Sequence, residues 1–242
     1  MWRLPKMSDF LVFTLESRMA SFGDLAGQER RGSEIWPGKS SLVGLLGAAL
    51  GVQRSDDAAQ ARLSGLSVAV AAYDTGTPLR DYHTVESIAQ KIRNPGTRAN
   101  AIALARSNNG SNTSITWRDY RCGVLYGVVV WSDGEHDLKK IATALERPAF
   151  VPFLGRKSCP LSSPMAAKVV SRGNPLEALD ALTLPPWRTG DDSDARISWL
   201  FIASDPHAGF VPEEIVWRHD VPVDRHRWHF KAREVHVTRG SR

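Results

Sequence analysis

The chain has 242 residues, 42% hydrophobic and 24% charged, the balance of an ordinary globular protein able to bury one large core or two small ones. Its apolar runs fall far short of a membrane span, and the opening "MWRLPKMSDF" lacks the apolar stretch of a secretory signal, so a cytoplasmic protein with no membrane partner is expected. A net charge of +5 and a pI near 9.4 turn attention to polyanions, while Cys122 and Cys159, single and far apart, offer neither a Cys-x-x-Cys metal pair nor a disulfide framework and read as reduced, buried thiols.

"DFLVFTLES" is rich in strand formers, and residues 9–16 are predicted to form a first strand. "PGKSSLVGLLGAALG" follows, with a helix predicted over residues 40–50. Its Gly-Lys-Ser invites a phosphate-loop reading, which fails because Ser33 stands where that motif needs its first glycine and because the preceding "GQERRGSEIW" is no buried strand. What remains is a basic residue, Lys39, and a hydroxyl, Ser40, at a helix start, where free N–H groups and the helix dipole favour an anion, such as a nucleic-acid phosphate.

A second strand is predicted over residues 66–74. The polar and basic stretch 75–116 is too long and too rich in turn formers for an ordinary connection, and reads as a functional insertion. "YRCGVLYGVVVW" resumes the core as a long strand. "EHDLKKIATALE" then places Leu138, Ile141, Ala142 and Leu145 on one helix face, and "FVPFLG" returns to strand. Strand, helix, strand, insertion, strand, helix, strand is the βαββαβ order of a ferredoxin-like (RRM-like) fold of the α+β class. The expected division is an RNA-binding core over 8–160, with its insertion at about 75–117, and a C-terminal β-rich elaboration over 161–242. There "NPLEALDAL" carries a helix start with Asn174 as cap, Pro175 in the first turn and Glu177 at the capping-box position. "PPWRTGDDSDAR" reads as an exposed acidic loop, and strands are predicted over 197–203 and 228–237.

Charge is clustered. Residues 91–118 hold Lys91, Arg93, Arg98, Arg106 and Arg118 and no acid, and residues 218–242 hold seven Lys and Arg, Arg233 among them, with four of the seven histidines. Two such clusters point to nucleic acid. The C-terminal histidines are not read as a zinc site, because arginines interleave them and His226 and His229 would face opposite sides of a strand. "FVPFLGRKSCPLSSP" ends a strand at Gly155 and follows it with Arg156, Lys157 and Ser158, charge and hydrogen-bonding groups where a phosphodiester backbone can approach. Trp117 adjoins the insertion and is a candidate for stacking on a splayed base. "LRDYHTVES" sets Arg80, Tyr82 and His83 beside the same insertion, either as RNA contacts or as the acid and base of a metal-independent ribonuclease. No other catalytic signature, metal site or cofactor motif is present.

Six separated blocks, "LVFTLESRMASFG", "WPGKSSLVGLLGAALGVQRSDD", "LRDYHTVES", "TWRDYRC", "FVPFLGRKSCPLSSP" and "FKAREVHVTRG", carry a resemblance to the CasD family of type I-E CRISPR Cascade subunits, within the RAMP superfamily. The resemblance spans nearly everything from residue 8 to residue 240. It implies a ferredoxin-like core with a protruding β-hairpin thumb, which fits the basic insertion. It further implies a grip on the 5′ handle of the crRNA, in which Lys39 and Ser40 meet RNA rather than a free nucleotide. The protein would cap the filament of CasC backbone subunits, lie near the large subunit CasA, and meet target DNA only through the complex. Cutting of the precursor RNA belongs in type I-E systems to CasE, whereas type I-C relatives are themselves repeat endonucleases. The Tyr, Lys and His set of those relatives is not found here, since no lysine adjoins Tyr82 and His83. The resemblance also implies that the family's usual start lies at Met7.

Overall fold

Alternation of side chains lets the central strands serve two faces at once. In the computed structural model, which describes residues 7–23, 27, 29–88, 96–107, 110–134, 136–189, 198–206, 208–224, 227 and 229–240, β1 (Ser8–Ala20) sends Leu11, Phe13 and Leu15 into one apolar cluster and Phe10 and Val12 into another. The short β2 (Phe22–Gly23), β3 (Arg30–Arg31) and β4 (Ser33–Glu34) follow, then α1 (Lys39–Leu50), α2 (Asp57–Ser64), β5 (Ser67–Asp74), β6 (Thr77–Ile88), α3 (Arg98–Ser107) and β7 (Ser111–Trp131). The rest of the chain forms α4 (Leu138–Glu146), β8 (Lys168–Arg172), α5 (Pro175–Leu179), α6 (Pro186–Thr189), β9 (Phe201–Ser204), β10 (Glu214–Asp224) and β11 (His229–Arg239).

The fold is mixed α and β, dominated by antiparallel sheet. Along the main sheet the order is β10-β11-β9-β5-β7-β1-β8, and β3 and β6 join β7 beyond that path. Only the β3–β7 pair is parallel among the described residues. The larger cluster fills the face under α1 and α4, whose Leu42, Val43, Leu46, Leu138, Ile141 and Leu145 are buried, and α5 covers part of the other face through Ala178 and Leu179. Helix ends follow local rules: Asp137 accepts from Lys140 N at 3.0 Å, and Asn174 accepts from Glu177 N at 2.9 Å while the Glu177 carboxylate accepts from Gly173 N.

Three features differ from the sequence reading. No strand forms over 150–155. Ala149 N and Phe150 N donate to Ala49 O and Ala48 O at the end of α1, Pro152 has no N–H, and Phe153 makes only an isolated bridge to Pro160. The place beside β1 is taken by β8, and β10 is an additional strand paired with β11. The insertion is also less separate than its composition suggests. Its two arms are β6 and the first half of β7, paired in unbroken register from Thr77↔Cys122 to Ile88↔Ser111 as a ribbon continuous with the main sheet. Cys159 is buried and Cys122 only half-buried; burial pushes the Cys159 thiol above its ordinary pKa.

Candidate nucleic-acid interface

The candidate residues separate into two clusters. The first is turned inward. Lys39 Nζ lies 3.0 Å from Asp205 Oδ2, Arg233 Nη1 lies 2.6 Å from Asp205 Oδ1, and Arg233 Nε lies 2.7 Å from Asp220 Oδ1. Asp220 Oδ2 accepts the backbone N–H of Lys39 at 2.8 Å, so a carboxylate sits at the α1 N-terminus where the sequence suggests a phosphate. Gly38 makes this approach feasible: a Cβ there would stand 2.6 Å from Asp220 Oδ2. Arg218 completes the cluster, stacked 4.6 Å over Trp36. Lys39 and Arg233 side chains are 13% and 12% exposed, and both charges are matched by carboxylates. Ser40 is half-buried beside them.

The second cluster surrounds Asp119 at the root of the β6–β7 ribbon, and it is exposed. Register fixes its two sides. On one side Arg80 lies opposite Asp119 and Tyr82 opposite Trp117, while β3 sets Arg30 against Trp117. Arg80 Nε and Arg30 Nη2 reach the Asp119 carboxylate at 2.7 and 3.0 Å. The hydrogen bond from Arg80, with a second from Arg30, holds that carboxyl below the usual carboxylate range. Tyr82 and Trp117 form an edge-on pair with ring centroids 6.2 Å apart.

The other side carries His83 and Arg118, with Arg31 opposite Arg118. Arg156 joins them from the 155–158 turn: its guanidinium lies 4.5 Å from the centroid of the buried Tyr120 ring and donates to Asp119 O at 3.3 Å and Arg31 O at 3.2 Å. Lys157 and Ser158 are exposed at the same turn. The turn depends on Gly155, at φ +87°, where a Cβ would lie 1.7 Å from Ser21 O. Half-buried Arg118 has its Nε buried and without an acceptor among the described residues. Further along the ribbon Arg106 pairs with Glu86 at 3.0 Å. Lys91 and Arg93 lie outside the described residues.

Tyr82 and His83, adjacent in an extended strand, face opposite sides of the ribbon, so they do not converge as an acid and base on one phosphate. Arg30 and Arg31 are the residues sequence reasoning missed. Their doublet was visible, but nothing local ties it to Trp117 and Arg118.

The profile of the family described as "CRISPR-associated protein (Cas_Cas5)" matches residues 10–236. The curated protein "CRISPR system Cascade subunit CasD" of Escherichia coli (strain K12) is 30% identical over 184 residues, 72% of this chain and 76% of that protein. Among solved structures, a chain of a "CRISPR RNA-guided surveillance complex" superposes with a TM-score of 0.64 at 23% identity, covering 96% of this chain and 90% of that one. Another, described as "Crystal structure of Cas protein", gives 0.58 at 21% identity over 95% and 94%. With a profile match running through almost the whole folded sequence and a CasD relative sharing most of its length, the chain belongs to the Cas5 family of CRISPR-associated proteins.

Proposed function

We propose that this chain is a crRNA-binding subunit of a CRISPR Cascade surveillance complex, acting in the cytoplasm and holding the 5′ handle of the crRNA at the end of the CasC filament. CasA docks nearby, and target DNA is met through the assembled complex. The reading is supported by the CasD relative and, above all, by one observation: Arg31, Arg118, Arg156 and Lys157, brought from three distant segments, stand together beside a single turn. Phosphate contacts of this kind supply most nucleic-acid affinity. Lys39, Ser40 and Arg233 are left out of the grip because Lys39 and Arg233 are held within an internal ion network and Ser40 flanks it.

The order β5-β7-β1-β8, with α1 and α4 in the two crossovers, supports a ferredoxin-like core, which then closes with β8 rather than near residue 155. The β6–β7 ribbon is read as its thumb, and β9 to β11 as the C-terminal elaboration on the β5 side. The separation of Tyr82 from His83 favours binding over cleavage, and incubation of the purified chain with repeat RNA in EDTA is expected to give no products.

The decisive experiment replaces Arg31, Arg156 and Lys157 together with Ala. Reconstituted complexes carrying the variant are expected to lose crRNA on washing at moderate salt, while Lys39→Met complexes retain it. Full retention by the triple variant would falsify the grip.

A further inference from the structure

The opposite side of the ribbon carries a separate set of groups that the phosphate grip does not use. Tyr82 is 58% exposed and Trp117 36%, large rings that no described residue fully covers on an extended ribbon. They are not isolated: they pair across the strands, edge to face, and Tyr82 is the more exposed of the two. Next along the same side stand Arg30 and Arg80, 63% and 54% exposed, yet each bound to the same Asp119 carboxylate. One carboxylate cannot neutralise two guanidinium groups, so the site keeps a net positive charge, and the shared acid fixes two long side chains that would otherwise be mobile. An exposed aromatic step beside oriented, under-compensated cations is complementary to one nucleotide with its flanking phosphate. An apolar protein surface would satisfy the rings and leave the charge unmatched.

We infer that Tyr82 and Trp117 form a stacking step for an unpaired base of single-stranded RNA, flanked by Arg30 and Arg80 as a phosphate clamp, with Asp119 as the positioning residue that holds the clamp open. This rests on the RNA-binding reading but uses the other side of the ribbon. Because every base has a π-face, the step is tolerant of sequence. It also accounts for the arrangement of two exposed arginines on one half-buried acid.

The test uses the full chain and short fluorescent oligoadenylate and oligouridylate, with affinities measured over a series of salt concentrations. Tyr82→Ala with Trp117→Ala is expected to weaken both oligomers by about ten-fold or more and to leave the salt slope unchanged, since no phosphate contact is removed. Tyr82→Phe retains affinity, and an oligomer of abasic residues no longer distinguishes the aromatic variant from the parent chain. Arg30→Ala with Arg80→Ala instead flattens the slope by about 0.7 for each cation engaged. Asp119→Asn reproduces part of that flattening, and Asp119→Glu restores it, which loss of fold would not do. Unchanged binding by the aromatic variant, with binding lost in the Arg156 and Lys157 variants, overturns the stacking step and leaves the grip standing. Loss of assembly with unchanged RNA affinity assigns the face to a protein partner and overturns it as well. Absence of RNA binding by the parent chain itself counts against both readings.

Discussion

Lys39 shows how little a residue's type says about where its charge goes. Its Nζ and Arg233 both meet Asp205, which also accepts Val68 N at 3.0 Å. Removal of that acid by Asp205→Ala takes the carboxylate from the mostly buried Lys39 and leaves Arg233 held by Asp220 alone. A loss of about 3–5 kcal/mol in urea unfolding is expected, with RNA affinity per folded molecule unchanged. Two tyrosines give a pH test. Burial, assisted by Asp180, pushes the Tyr73 phenol up to about 12, and burial raises Tyr126 further, its hydroxyl donating to Ile35 O. Both groups are held in the protonated form when folded. Their contribution is therefore complete below the unfolded value of about 10 and is lost as pH rises from there toward the folded values. Each lowers stability by up to about 1.4 kcal/mol per pH unit in that window. In ultraviolet titration, two of the four tyrosines are expected to ionise only as the protein unfolds.

At the scale of elements, local chemistry and remote pairing part company. The helix α4 and the cap of α5 were legible because a 3.6-residue apolar period and an Asn-x-x-Glu box act within one turn; Asn174→Ala is expected to cost about 1 kcal/mol in thermal unfolding. Pattern alone marked the β6–β7 ribbon as a polar insertion and only the family resemblance implied a β-hairpin thumb there, since a strand like β6, exposed along most of its length, has no buried face to impose alternation. The 155–158 turn is the element on which the grip depends. Gly155→Ala adds a side chain both to a left-handed backbone and against Ser21 O. It is expected to destabilise by at least about 1–3 kcal/mol and to weaken RNA binding by moving Arg156, seen as lower affinity at temperatures well below unfolding.

For the molecule as a whole, a long sheet carries exposed cations at one ribbon root and neutralised ones at the α1 N-terminus. A binding surface built on the former predicts a steep fall of RNA affinity with salt. With about four phosphates engaged, the logarithmic slope is about −3 for a single strand, and flat binding across that range counts against the interface. The amino-acid sequence alone determined the mixed α and β character, the positions of the main core elements β1, α1, β5, α4 and the second half of β7, and the membership signalled by its six blocks, because periodicity, caps and short motifs are local properties of the chain. Only the tertiary structure decided which basic residues face solvent. Lys39 is met by Asp220 across 181 positions of sequence, whereas Arg31 reaches Arg118 through a parallel pairing. A cation's direction is set by whichever group arrives opposite it, and that arrival is fixed by strand order rather than by neighbours in the chain.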